Sequence, residues 1–346
     1  MNIASIIHVI LDETSSPEAL QDALFAFVQM CGDITGILPD PSFDAWAKDT
    51  LLDSGVAINP NAAAHCAIDY QRSAVFIRGI NAAIEALRSR FPTIPLEILY
   101  AGCGPFATLL LPLLSKFSSG EINLNLLDIH QRSIDSVELL LTHFGLDAYN
   151  VRTVKDDACR YKHDRKVHMV VAETMQKSLE QEPQFAVTAN LAPQLCPGGI
   201  FIPQRIEVAL CLADLKYEKE MLEQSPRVDA SVPDFDSLRH PIATVCTLTP
   251  DNAKSQIHKA RHSAHGILEL QPTTVTIPAA TDIRRLDAAF FTRITVFESY
   301  RLGDYESEIT LPLKCHEIAT LNAGARYRIS YQLGSYPRFN LEYLDS

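Results

Sequence analysis

Glu173 and Glu182, nine residues apart, are the pair in this chain best suited to do chemistry. A planar cation such as a guanidinium offers parallel N–H groups that a carboxylate grips in bidentate fashion. Two carboxylates on one such group orient a chosen nitrogen, so that positioning supplies much of the rate. They also draw positive charge toward the other nitrogens, leaving the chosen one more nucleophilic. A guanidinium stays protonated at ordinary pH, so reaction at its nitrogen releases a proton that either acid is suited to receive. Glu180 lies in the same stretch and competes for the second role.

A second constellation stands upstream. In Ile98-Leu99-Tyr100-Ala101-Gly102-Cys103-Gly104-Pro105 a short apolar run meets a glycine-paired turn, and Asp128 follows 24 residues after Gly104. Gly102 and Gly104 let the backbone turn tightly and approach a ligand, with the N-terminus of a following helix facing it. An acid at the tip of the next strand, Asp128, would accept hydrogen bonds from two ribose hydroxyls at the carboxyl edge of a doubly wound sheet. Asp157 and the N–H of Ala158, after the third strand, are suited to an adenine amino group. A dinucleotide calls for G-x-G-x-x-G, but Pro105-Phe106-Ala107 is bulky where that fingerprint needs room. S-adenosylmethionine (SAM) carries no phosphate and fits the narrower turn.

The elements that must hold these groups can be read along the chain. Ser16-Pro17-Glu18 starts a helix bearing Leu20, Leu24 and Phe27, and Asn59-Pro60 starts a long helical segment with Ile68, Val75, Ile80, Ile84 and Leu87. Pro92 and Pro95 end it. Strands are expected at 96–100, 122–127, 151–154, 168–172 and 200–202, alternating with helices at 106–117, 132–144 and 183–195, which implies a parallel sheet covered on both faces. After Arg205 short strands at 206–210, 274–277, 294–297, 309–311 and 327–332 suggest a mostly antiparallel β domain, with a charged helix at 213–223 and an exposed arm at 225–240. The expected fold is therefore α/β: a helical segment over 1–90, a Rossmann-like SAM-binding domain over 91–204 and a β-barrel-like domain over 205–346.

Composition narrows the function classes. With 346 residues, 47% hydrophobic and 21% charged, the chain has the makeup of an ordinary globular protein of more than one domain. A formal charge of −12 argues against nucleic acid or anionic membrane as partners and suits a cationic small molecule. No apolar run is long enough to span a bilayer, and residues 3–11 lack the basic start of a signal peptide. The eight cysteines are scattered without CxxC spacing, which disfavours a zinc site or a disulfide framework and suits the reducing cytoplasm. No metal is expected.

The segment from Val170 to Glu182 resembles the double-glutamate loop of protein arginine methyltransferases, with Glu173, Met175 and Glu182 at its marked positions. Leu195-Cys196-Pro197-Gly198-Gly199-Ile200-Phe201-Ile202-Pro203 is similar to that family's L-x-P-G-G-x-x-x-P link into a β-barrel domain. Asp69-Tyr70-Gln71-Arg72-Ser73 resembles its D-x-x-R-T helix, which implies that Arg72 holds the SAM carboxylate. The chain departs from the pattern at Tyr100, where an acid is usual, and at Phe106, where a glycine is usual. A Tyr-Phe rich helix has no counterpart near residues 40–60. The family's Thr-His-Trp element is replaced by Phe291-Thr292-Arg293-Ile294-Thr295-Val296-Phe297 at the expected place. The resemblance implies SAM-dependent N-methylation of a guanidino group, and the missing element shifts the expected acceptor to free arginine or a small relative. A protein arginine methyltransferase, a silent SAM-binding scaffold and an O- or C-methyltransferase are the alternatives.

Three further residues carry expectations. His65, near Arg72, reads as a helix-surface histidine with contact to the cofactor as the alternative; Cys103 reads as a packing residue; a role for His316 in place of the lost barrel histidine is the minor reading. No nucleophile-elbow sequence supports hydrolase chemistry. The family's dimers, formed through an arm in the barrel domain, imply a homodimer through residues 213–240.

Overall fold

A computed structural model describes residues 2–39, 49–146, 148–224, 234–278, 285–316, 318 and 322–344. Ser16 caps the helix Pro17–Thr35 by accepting from the Ala19 N–H, and Gly36 at φ 69° ends it. Its apolar stripe, Leu20, Leu24, Phe27 and Cys31, is buried. The long segment after Asn59 is two helices, Pro60–Cys66 and Tyr70–Arg90, because Asp69 turns its carboxylate onto the Arg72 N–H and starts a new helix. Before them stands a hairpin that the sequence did not announce, pairing Thr50–Leu52 with Gly55–Ala57.

The centre is a five-stranded sheet in the order Asn150–Lys155, Ile122–Asp128, Leu96–Ala101, Val167–Ala172 and Leu195–Ile202, all parallel. This is the α/β, Rossmann-like arrangement expected. The chain order reverses at Leu96–Ala101, which has Ile122–Asp128 on one side and Val167–Ala172 on the other. Ala101 stands in register with Leu127 and with Ala172. Gly102, Asp128 and Glu173, each the next residue in its chain segment, therefore emerge side by side at the sheet's carboxyl edge, where open α/β sheets hold ligands.

One expected element fails. Residues 105–110 form turns, and the helix after the glycine turn is only Leu111–Leu114. Ala107 adopts φ 42°, and Pro105 and Pro112 interrupt the hydrogen-bond ladder on either side. The glycine turn therefore faces backbone turns, with no helix N-terminus behind it.

Beyond Arg205 the chain forms two antiparallel five-stranded sheets. One orders Tyr300–Leu302, Asp287–Phe297, Arg205–Ala213 and His240–Leu248, with Leu313–Lys314 added to Asp287–Phe297. The other is built on Arg326–Gln332, flanked by Thr273–Thr276 and Arg338–Leu344. Among the described residues no strand pair closes them into a barrel. Residues 309–311 are not a strand; Ile309 and Thr310 belong to the 3-10 turn Glu308–Thr310, capped by Ser307, and Leu311 is its C-cap. Of the expected arm, 225–233 lies outside the described residues. The helix Leu215–Gln224 beside it is pinned by Arg239, which donates from Nε and Nη2 to the two Glu218 carboxylate oxygens at 2.7 and 3.0 Å and stacks on the Phe291 ring at 4.0 Å. The N-terminal helices, the parallel sheet and the C-terminal sheets share one apolar core, from Phe27 through Ile98 to Phe290. Among the described residues no helix is long and apolar enough to cross a membrane.

Candidate active site

At the carboxyl edge of the parallel sheet lies a cavity of about 560 Å³. That is within the roughly 300–1,000 Å³ of small-molecule sites. Of the residues the sequence singled out, Arg72, Gly102, Gly104, Asp128, Asp157, Ala158, Glu173 and Glu182 line it. Glu180, the competitor for the second acid, does not.

Gly102 and Gly104 both adopt positive φ, 68° and 64°. A Cβ on Gly102 would sit 2.5 Å from the Thr174 methyl, so only glycine fits there. Asp128 is buried and holds the turn's shape: one carboxylate oxygen accepts the Gly104 N–H at 2.9 Å, the other the His130 N–H at 2.8 Å. Asp157 accepts the Cys159 N–H at 2.8 Å, which shapes the turn that presents Ala158. Thr174 is fixed by Gln184, whose carbonyl oxygen accepts from its N–H and hydroxyl while its amide donates to the Ala172 carbonyl.

Arg72 reaches the same edge from the helix Tyr70–Arg90. Its Nη1 donates to Glu173 Oε2 at 2.7 Å and its Nη2 to the Cys66 carbonyl at 2.6 Å. Its Nε is buried with no hydrogen-bond partner among the described residues. A buried donor without a partner is a vacancy for an anionic ligand group.

The loop from Lys177 to Glu182 is held under strain. Ser178, Leu179 and Gln181 have φ of 58°, 56° and 65°. Each costs a non-glycine residue roughly 1–2 kcal/mol. The conformation persists because distant residues grip the backbone. Thr292 Oγ1 accepts the Ser178 N–H at 2.9 Å, and the Tyr331 hydroxyl donates to the Leu179 carbonyl at 2.6 Å. The Gln181 N–H donates to the Pro337 carbonyl, and its carbonyl accepts the Val56 N–H, both at 2.7 Å. These supports had no signal in the sequence, since the partners lie more than 100 residues away.

Both acids are buried, and burial is the main cause of their raised pKa values. Glu173 is pushed up to about 7, with Arg72 opposing and Asp69 adding to the rise. Glu182 is pushed up to about 8, with Glu173 adding and Arg72 opposing. A cation placed against both carboxyls would favour their ionised forms and offset the rise. Burial also keeps the nearby thiols protonated: Cys66 and Cys159 are pushed up to about 12 and Cys103 well above its usual value. Cys103 is thus the packing residue expected.

For His65 the structure follows the alternative reading: it lines the cavity, and its Nδ1 is buried without a partner among the described residues. His316 is exposed and does not line the cavity. Nor does any residue of 291–297; what reaches the cavity from the C-terminal sheets is Glu308, Ile309 and Leu311. Asp69 ties this turn down, one oxygen accepting from the Ser307 hydroxyl at 2.6 Å and the Glu308 N–H at 2.9 Å. Residues 40–48, where the Tyr-Phe rich helix was missed, are outside the described residues.

No protein-family model and no curated protein matches the chain. Similar solved structures include the Trypanosoma brucei PRMT1 enzyme–prozyme heterotetrameric complex with AdoHcy, at 12% identity and TM-score 0.47, covering 80% of this chain and 92% of that one. Another is protein arginine methyltransferase 10 of Arabidopsis thaliana in a uniquely open conformation, at 11% identity and TM-score 0.44, covering 74% and 84%.

Proposed function

We propose that this chain is a SAM-dependent N-methyltransferase acting on a guanidino group, with free L-arginine or a small arginine-like metabolite as acceptor. One observation carries the reading: Glu182, buried, and Glu173, its side chain 9% exposed, line the same cavity as the glycine turn, Asp128 and Arg72. Asp49 and Glu308 add further acids to its wall, which suits a cationic acceptor.

The residues fit SAM. Asp128 would take the ribose hydroxyls, Asp157 and Ala158 the adenine edge, and the partnerless Nε of Arg72 the carboxylate, while the glycine turn keeps side chains out of the way. The group supplies an electrophilic methyl on a sulfonium. Glu173 and Glu182 grip the guanidinium and hold one nitrogen facing that methyl. Charge drawn toward the two carboxylates leaves the facing nitrogen richer in electrons. The proton lost from that nitrogen as its new N–C bond forms passes to one of the two carboxylates, Glu182 or Glu173, both of which burial makes more basic than usual.

Radiolabelled methyl transfer, with free arginine and basic proteins offered side by side, tests the reading. Label in a small basic product supports it. Label only in protein makes the chain a protein arginine methyltransferase, and tight SAM binding without transfer to any guanidine makes it a scaffold. We place the activity in the cytoplasm and propose a homodimer through residues 213–240; a monomer on gel filtration at micromolar concentration would refute the latter.

A further inference from the structure

The acid-lined cavity contains one residue of the wrong sign for a cationic acceptor. Lys177 opens the 3-10 turn Lys177–Leu179 between the two glutamates, is half-buried, and lines the cavity. Among the described residues its ammonium forms no ion pair. The other strong cation there, Arg72, is engaged by Glu173 and the Cys66 carbonyl. A fixed ammonium beside a guanidinium site repels the acceptor unless the acceptor brings an anion of its own.

We propose that Lys177 binds the α-carboxylate of a free amino acid and so selects free arginine over arginine within a polypeptide. An arginine residue inside a chain has no such carboxylate and meets only the repulsion. Glu308, exposed at the cavity wall with its N–H held by Asp69, completes the selection by facing the α-ammonium. The pair Lys177 and Glu308 thus presents the charges complementary to a zwitterion, while Glu173 and Glu182 take the other end of the molecule. The backbone just after Lys177 is gripped at Ser178 and Leu179, which fixes the point at which its side chain leaves the main chain. The assignment rests on the guanidino-methylation reading and deepens it.

Calorimetric binding of arginine, argininamide and agmatine (arginine without its carboxylate), each in the presence of S-adenosylhomocysteine, tests this alongside methyl transfer. The native protein should bind arginine at least tenfold more tightly than agmatine or argininamide. Lys177→Met should erase that preference while S-adenosylhomocysteine affinity stays unchanged, and Lys177→Arg should restore most of it. Equal native affinity for arginine and agmatine, or a preference that survives Lys177→Met, overturns the assignment to Lys177 and leaves the methyltransferase reading standing. Binding of S-adenosylhomocysteine with neither binding of nor transfer to any of the three guanidines overturns the reading itself, and the Lys177 assignment with it.

Discussion

Arg72 and Glu173 are joined by a buried ion pair at 2.7 Å, so the residue suited to the cofactor's carboxylate grips the residue suited to the acceptor. Glu173 is thereby a poor isolated probe of the acceptor site. Glu173→Gln leaves a buried guanidinium facing a neutral amide. Losing one partner of such a pair typically costs about 3–5 kcal/mol. The expected outcome is lost turnover together with a lowered melting temperature and weakened SAM binding, read by calorimetry and thermal denaturation.

Glu182→Gln separates the two roles, because Glu182 makes no ion pair with Arg72 among the described residues. Turnover should fall about 100-fold or more, within the range that general-base loss explains, while SAM affinity changes less than about twofold. A variant that keeps native turnover would remove Glu182 from the chemistry.

The same substitution should change stability in a pH-dependent direction. The folded protein holds Glu182 up to about 8, above its ordinary value near 4.5, so the folded state binds more protons than the unfolded state between those values. The carboxyl's stabilising contribution is present below about pH 4.5 and is lost as pH rises through about 8. Glu182→Gln should therefore match the native melting temperature at pH 5 and exceed it at pH 9 by a few degrees, since about 1 kcal/mol moves a chain of this size by roughly 1–2 °C. Equal curves at both values would show that Glu182 is not a burdened acid.

The pH profile of kcat/KM follows from the same pair. A guanidinium clamp needs both carboxyls ionised, and the pair titrates near 7 and 8 in the empty cavity. The value of kcat/KM should climb with pH, with a slope approaching two below pH 7, and level off above pH 8. A profile flat from pH 6 to 9 would contradict the paired titration.

Tyr331→Phe removes the hydroxyl that donates to the Leu179 carbonyl at 2.6 Å. The carbonyl left buried and unmet costs about 1–3 kcal/mol, and the strained loop loses one of its supports. Turnover should drop about tenfold with SAM affinity retained. An unchanged rate would mean that the loop holds its shape without this bond.

What could be read from the residue order is what short-range pattern specifies. The glycine turn, the strand beside it and Asp128 are local, and a shared register along parallel strands carries Glu173 to the same edge. The Ser16 and Asn59 caps follow from side chains reaching only two or three residues ahead. The failed helix at 106–117 shows the opposite case: its apolar content suggested a helix, but Pro105, Pro112 and the left-handed Ala107 decided otherwise. His65 stayed between two readings because helix periodicity says which residues share a face and not what that face meets. Thr292, Tyr331 and Asp69–Ser307 stayed invisible for a different reason, being contacts between segments of 114 to 238 residues' separation that no local period encodes.

The grip of Thr292, Tyr331 and Pro337 on the backbone between the two glutamates means that the parallel-sheet half cannot be excised with this loop intact. A chain stopped near residue 204 would retain the parallel strands and the glycine turn, yet of the loop's distant supports only Val56 on the Gln181 carbonyl would remain. On the proposed function, shuffling that half onto another carboxyl-terminal partner would carry over affinity for the methyl donor and leave the acceptor chemistry behind.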